Sequence, residues 1–302
     1  MGSSNIVNQV LVLFFIMIVG VITRKTNILN KETNKRLSDL LVKVTLPCLI
    51  FSSFNYKFDP KILNNIKLMI FYSLIIHIVL IILSKILYFK YEGKVKSVLR
   101  YGTIFSNNGF MGYPIIEALY GKIGIFYASI FGIPYNIFMF SVGTMIYTGK
   151  RDVKTLKKAI IQPGVIATIL GIIVFVFSIK IPSSLNMALS SVGSMTTPLS
   201  MIIVGSMLAE IDIKSVFSDF STYYCSFVRL IIAPFLVYLL LKVVHADGLL
   251  LKICVVLEAM PVAVLCSVLA EQHDSNPILA SKCVFITTVI SIFTIPLIVS
   301  II

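Results

Sequence analysis

The sequence predicts an all-α polytopic membrane protein of ten transmembrane helices, arranged as two inverted five-helix repeats. Three observations predict it. Apolar runs of about 20 residues, the length of a helix that crosses a bilayer, follow one another along the chain, and the 13% of residues that are charged gather between them. Lysine and arginine are shared unevenly between alternate connections, as when one side of a membrane retains positive charge. Two apolar runs, one in each half, carry prolines at matching depth, where a continuous helix is not expected. A chain of 302 residues that is 58% hydrophobic, with a mean hydropathy of +0.98, departs far from soluble composition.

Taken in order, the spans lie near residues 5 to 23, 33 to 54, 67 to 89, 97 to 119 and 123 to 148, then 159 to 178, 184 to 208, 218 to 241, 248 to 270 and 277 to 301. Arg24 and Lys25 follow the first apolar run instead of preceding it, so it reads as a retained span and not as a signal peptide. Connections on one side carry Arg24, Lys25, Lys31, Lys35, Arg36, Lys90, Lys94, Lys96, Arg100, Lys150, Arg151, Lys154, Lys157, Lys158 and Lys214, and those opposite carry fewer. The richer side is expected in the cytoplasm, with both termini outside it. Residues 149–158 form the most charged connection and divide the chain into repeats 1–148 and 159–302. LSDLLVKVTLPCLIFSS in the second span resembles ALSSVGSMTTPLSMIIVG in the seventh, with Pro47 and Pro198 at equivalent depth. An odd number of spans in each half makes the second half enter the membrane inverted.

Composition also excludes functions. A net charge of +13 is explained by positive residues retained beside the membrane, and no basic run is interleaved with aromatics in the manner of a nucleic-acid surface. The five cysteines lie within apolar runs at spacings that fit neither a disulfide framework nor a zinc site. No GxSxG, HExxH or nucleotide loop is present, so an enzyme is not expected.

The stretch FSNNGFMGYPIIEALYG, from Phe105 to Gly121, places Asn107, Asn108, Gly109, Gly112 and Pro114 inside apolar sequence. In the ninth span, LEAMPVAVLCSVLAEQ puts Pro261 where Pro114 falls in the fourth. Non-helical backbone at membrane depth is tolerated where protein buries it or it lines a wet cavity. Paired interruptions in corresponding spans of two inverted halves point to the binding site of a secondary transporter. If the fourth and ninth spans cross, half-helices starting near Pro114 and Pro261 aim positive dipole ends at one volume, which favours an anion.

NNGFMGYP, EAMP and the LPCLIF proline together resemble the auxin efflux carrier family, which includes the plant PIN carriers and bacterial carriers of dicarboxylates such as malonate and malate. The resemblance covers nearly the whole chain. It implies a fold like that of bile-acid symporters and sodium–proton transporters of the NhaA type, with a scaffold from spans one, two, six and seven. Spans three to five and eight to ten would form a moving transport domain, and the protein would be a homodimer working as an elevator. The implied substrate is a small organic anion, malate, malonate or an auxin-like acid, moved across the cell membrane. A ligand-binding sensor on the same fold, and a channel, are the alternatives.

Within this frame Asn107 and Asn108 either contact a substrate carboxylate or cap the broken helix. Gly112, Pro114 and Pro261 are expected to form the crossover, and Tyr113 stands among them. Asn136, in GIPYNIFMF, resembles a family position near the substrate, its alternative being a bond between helices. Glu258 is an intramembrane carboxylate, open to two readings: a site for a coupling proton or sodium ion, or a structural partner of Arg229. Arg229 itself neutralises a substrate or forms that ion pair. His77 either titrates near neutral pH or is a satisfied interior histidine. No cofactor is expected beyond a coupling ion.

Overall fold

The computed structural model describes residues 3–149, 153–210 and 219–302. Residues 150–152 of the central connection, with Lys150 and Arg151, and Lys214 lie outside the described residues. The fold is helical: α1 (Ser3–Lys25), α2 (Lys31–Leu40), α3 (Leu46–Ser52), α4 (Pro60–Leu87), α5 (Gly93–Ile104), α6 (Tyr113–Thr148), α7 (Val153–Ile160), α8 (Pro163–Val176), α9 (Ser183–Ser194), α10 (Thr196–Leu208), α11 (Phe220–Phe227), α12 (Ala233–Val243), α13 (Gly248–Glu258), α14 (Leu265–Gln272) and α15 (Pro277–Ile301). Among the described residues, six helical stretches are long and apolar enough to cross a membrane: Val7–Lys25, Pro60–Leu87, Asn108–Thr148, Ser183–Leu208, Phe220–Val243 and Pro277–Ile301. The protein is thus a multi-pass membrane protein.

Several expected spans are assembled from pieces, and proline explains the joints. Five-residue π turns at Leu41–Thr45, Asn108–Gly112 and Val228–Ile232 lie directly before Leu46-Pro47, Tyr113-Pro114 and Ala233-Pro234. In two of them the widened bond is explicit: Leu46 N–H donates to the Leu41 carbonyl, and Ala233 N–H to Val228. Proline has no N–H and its ring crowds the preceding turn, so an extra residue in that turn relieves the clash without ending the helix. α6 also holds a reorientation, at Gly121 with φ 60° and ψ −151°. That conformation is open to glycine at little cost, and it falls where the fourth and fifth spans were expected to part.

Two compact units make up the chain. The first comprises the residues up to Phe71, Gly109–Ile133 and Ile160–Glu210. Its tightest joint is between α1 and α10. A Cβ at Gly20 would stand 2.1 Å from the Ile202 carbonyl oxygen, and one at Gly205 would stand 1.9 Å from that of Met17. Each helix therefore contributes one missing side chain to the other's backbone, the usual means of close approach between membrane helices. Arg24 and Glu210 close the same joint with an ion pair of 3.0 Å. Gly193 lies likewise against Leu49, and Gly171 against the Phe54 ring.

The second unit comprises Tyr72–Asn108, Pro134–Ala159 and the described chain from residue 219 onward. Its core is polar at the centre, with Arg229, Glu258, His77, Thr103 and Ser106 all fully buried. The charged and amide residues singled out in the sequence meet in this unit.

Candidate functional site

Both interrupted helices of the second unit stop short of the prolines that announced them. α5 ends at Ile104, and Phe105 to Asn107 run on as non-helical chain. α13 ends at Glu258, and helix resumes only at Leu265. Pro261 thus lies within an extended segment and not in the first turn of a half-helix, while Pro114 sits one residue inside α6, beyond the π turn that begins at Asn108. The two extended segments pair. Asn107 N–H donates to the Pro261 carbonyl at 2.8 Å and Ala263 N–H to that of Phe105 at 3.0 Å, framing an antiparallel bridge between Ser106 and Val262. Val262 N–H donates in turn to Thr287 Oγ1 at 3.1 Å, from α15. Backbone groups that each break would leave unsatisfied inside a bilayer are satisfied by the other break.

The carbonyl ends of the broken helices converge on Arg229. Its position follows from the π turn Val228–Ile232, which carries it into the core of the unit. Nη1 donates to the Thr103 carbonyl at 2.7 Å, Nε to that of Met260 at 3.1 Å, and Nη2 to that of Glu258. Nη2 also binds Glu258 Oε2 at 2.6 Å. One guanidinium therefore caps the C-terminal ends of α5 and α13 together, at the pole of each helix where a cation is stabilised. The five N–H donors of arginine in a planar fork suit this task, which a lysine ammonium would not perform.

Glu258 has a second oxygen. Oε1 makes no hydrogen bond and lies 3.6 Å from His77 Nε2. His77 Nδ1 stands 2.6 Å from the Ser73 carbonyl oxygen, one turn back on α4. The imidazole stacks on Phe138 and Phe105, with ring centroids at 5.7 and 6.4 Å, and meets Tyr135 edge-on at 5.4 Å. Tyr135 in turn donates its hydroxyl to the Ser106 carbonyl. Histidine, carboxylate and paired segments are thus linked through one set of contacts.

The residues expected at the site divide between the units. Asn107, Asn108, Asn136, Pro261, Glu258, His77 and Arg229 belong to the second, whereas Gly112, Tyr113 and Pro114 belong to the first. Asn108 is 5% exposed, and neither its Oδ1 nor its Nδ2 has a hydrogen-bond partner. A buried amide without partners costs stability. Asn136 is half-buried on α6. Sequence reasoning passed over Ser106, whose Oγ is fully buried and unpartnered, and the carbonyls of Thr103 and Met260. No side-chain signal points to a carbonyl. Among the described residues no cluster of histidine, cysteine, aspartate and glutamate is fit to hold a metal.

The model of a family described as "Membrane transport protein" matches the chain twice, over residues 5–153 and 151–299. The chain belongs to this family. It is the auxin efflux carrier family that the motifs resemble, a family of transporters and not an enzyme class. An uncharacterized transporter of Methanothermobacter thermautotrophicus is 27% identical over 306 aligned positions, covering 98% of this chain and 97% of the relative. Another, from Methanocaldococcus jannaschii, is 28% identical over 300, covering 95% and 96%. This membrane transport protein therefore matches full-length relatives from end to end.

Proposed function

We propose that this membrane transport protein is a secondary transporter of a small organic anion, a carboxylate such as malate, malonate or an auxin-like acid, in the cell membrane. The observation that carries the reading is the polarity of the paired breaks. Arg229 already occupies the carbonyl ends of α5 and α13, so those carbonyls are not left to attract a cation beside the paired segments. The side chain there that offers donors without a partner is the Asn108 amide, beside the unpartnered Ser106 hydroxyl. A buried amide that presents N–H donors favours an anion with fixed oxygens.

The repeated family match supports two repeats, and in this reading each has five spans, the two run in opposite orientation, the fourth and ninth spans cross at the paired segments, and both termini lie outside the cytoplasm. Scaffold spans one, two, six and seven, a transport domain of the others, an elevator motion and a homodimer complete the proposal. Uptake of labelled malonate, malate and indole-3-acetate into proteoliposomes tests it. Saturable accumulation of one of them, reduced by Asn108→Ala, is the expected result. Binding without accumulation would overturn transport in favour of a sensor, and flux that never saturates would point to a channel.

A further inference from the structure

We propose that His77 and Glu258 together hold one exchangeable proton, and that this proton travels with the substrate anion. The proposal deepens the transport reading and rests on it for the second of its two claims. The Ser73 carbonyl can only accept, so the short contact at His77 Nδ1 places a proton on that nitrogen in every state. A neutral His77 then turns the lone pair of Nε2 toward Glu258 Oε1, 3.6 Å away. Two acceptors facing each other at this distance in a dry core repel. A proton on either atom converts the contact into a hydrogen bond. Phe105 and Phe138 on the ring faces and Tyr135 at its edge hold the imidazole in this orientation.

Arg229 decides which charge states are available. It binds the other carboxylate oxygen at 2.6 Å, so without the proton the cluster of Arg229, Glu258 and neutral His77 carries no net charge. With the proton it carries one positive charge, wholly buried. A buried charge without a counterion is costly, and so is an anion brought alone to the neighbouring paired segments. Each offsets the other when both are present. Phe105 joins the two places directly, since its ring stacks on His77 and its carbonyl accepts from Ala263. The titratable side chains facing the pair are Arg229 from the π turn, Tyr135 from α6 and Cys254 one turn earlier on α13. Binding of the anion must then draw in the proton, and the proton must tighten the anion by the same factor.

The sign follows. Proton uptake coupled to binding makes anion affinity rise as pH falls, by about tenfold per pH unit where the free protein is deprotonated and the bound protein protonated. The chain has three histidines, His77, His245 and His273, so nitrogen-labelled imidazoles give few signals to assign. The first arm uses substrate-free protein in lipid nanodiscs, titrated between about pH 5 and pH 8 by nitrogen NMR of His77 and by infrared absorption of the Glu258 carboxyl. One protonation step at either group is expected, altered in His77→Gln and in Glu258→Gln. Absence of any step at both groups overturns the proton site, and His77→Gln leaves the ion pair with Arg229 in place should Glu258→Gln fail to fold.

The second arm loads malonate outside proteoliposomes that contain a pH-sensitive dye. Internal acidification with malonate entry, lost in His77→Gln, is expected. Malonate entry without acidification overturns the coupling even if the first arm succeeds. Failure to bind or admit malonate, with the first arm positive, removes malonate from the transport reading and leaves the shared proton standing.

Discussion

The two units of this chain are held together by opposite means. In the first, α1 and α10 meet through glycines, and the contact succeeds because Gly20 and Gly205 have no side chains. In the second, α5 and α13 meet through Arg229, whose long side chain reaches carbonyls on both. Close apolar contact uses every available surface and leaves nothing to bind a solute. A joint made by one cation leaves the Asn108 amide without a partner beside it. The difference teaches that buried polar groups in an apolar protein collect where the helices are broken and the repair is polar.

Removing the cation should break the second unit most severely. Arg229→Met strands the Glu258 carboxylate and three carbonyls in the core, and loss of one partner of a buried ion pair costs roughly 3–5 kcal/mol. The thermal unfolding midpoint in detergent is expected to fall sharply, and an unchanged midpoint would contradict the clasp. Gly205→Ala comes next. Its added methyl meets the Met17 carbonyl, and overpacking of this kind costs about 1–3 kcal/mol, so thermal unfolding should show a smaller loss.

Asn108→Ala sharpens the comparison by separating binding from stability. Deleting an unpartnered buried amide is expected to leave the unfolding midpoint unchanged or raised, while substrate affinity measured by titration calorimetry falls about tenfold, or roughly 1.4 kcal/mol. A drop in stability with intact affinity would make Asn108 structural. Lys43→Ala is the smallest test. Its ion pair with Asp39 spans 3.0 Å on an exposed helix face, and such pairs contribute about 0.2–1 kcal/mol at most. Its midpoint should stay close to that of the unaltered protein.

Much of this was legible in the residues. The cluster from Asn107 to Pro114 and the proline at 261 marked the interrupted helices, because proline and glycine act through the backbone and leave a local signature. The repeat was visible for the same reason. The location of each break was displaced, since a π turn absorbs Pro114 within the helix and the extended segment forms upstream, at Phe105 to Asn107. The structure gives Glu258 and Arg229 as an ion pair, one of the two readings open to each. What no sequence pattern announced was that the guanidinium also serves Thr103, Glu258 and Met260 through their carbonyls. Every residue has a carbonyl, so only the folded chain distinguishes these three. The contact of His77 with Glu258 was hidden likewise, because 181 positions separate them.

A clasp addressed to the main chain is indifferent to spelling. Arg229 grips residue 260 by an oxygen that leucine or isoleucine would present as well as methionine does. The residues around the break are therefore free to vary while the joint beneath them keeps its form. A single arginine that reads main-chain carbonyls gives the side chains beside it room to change without the joint being rebuilt.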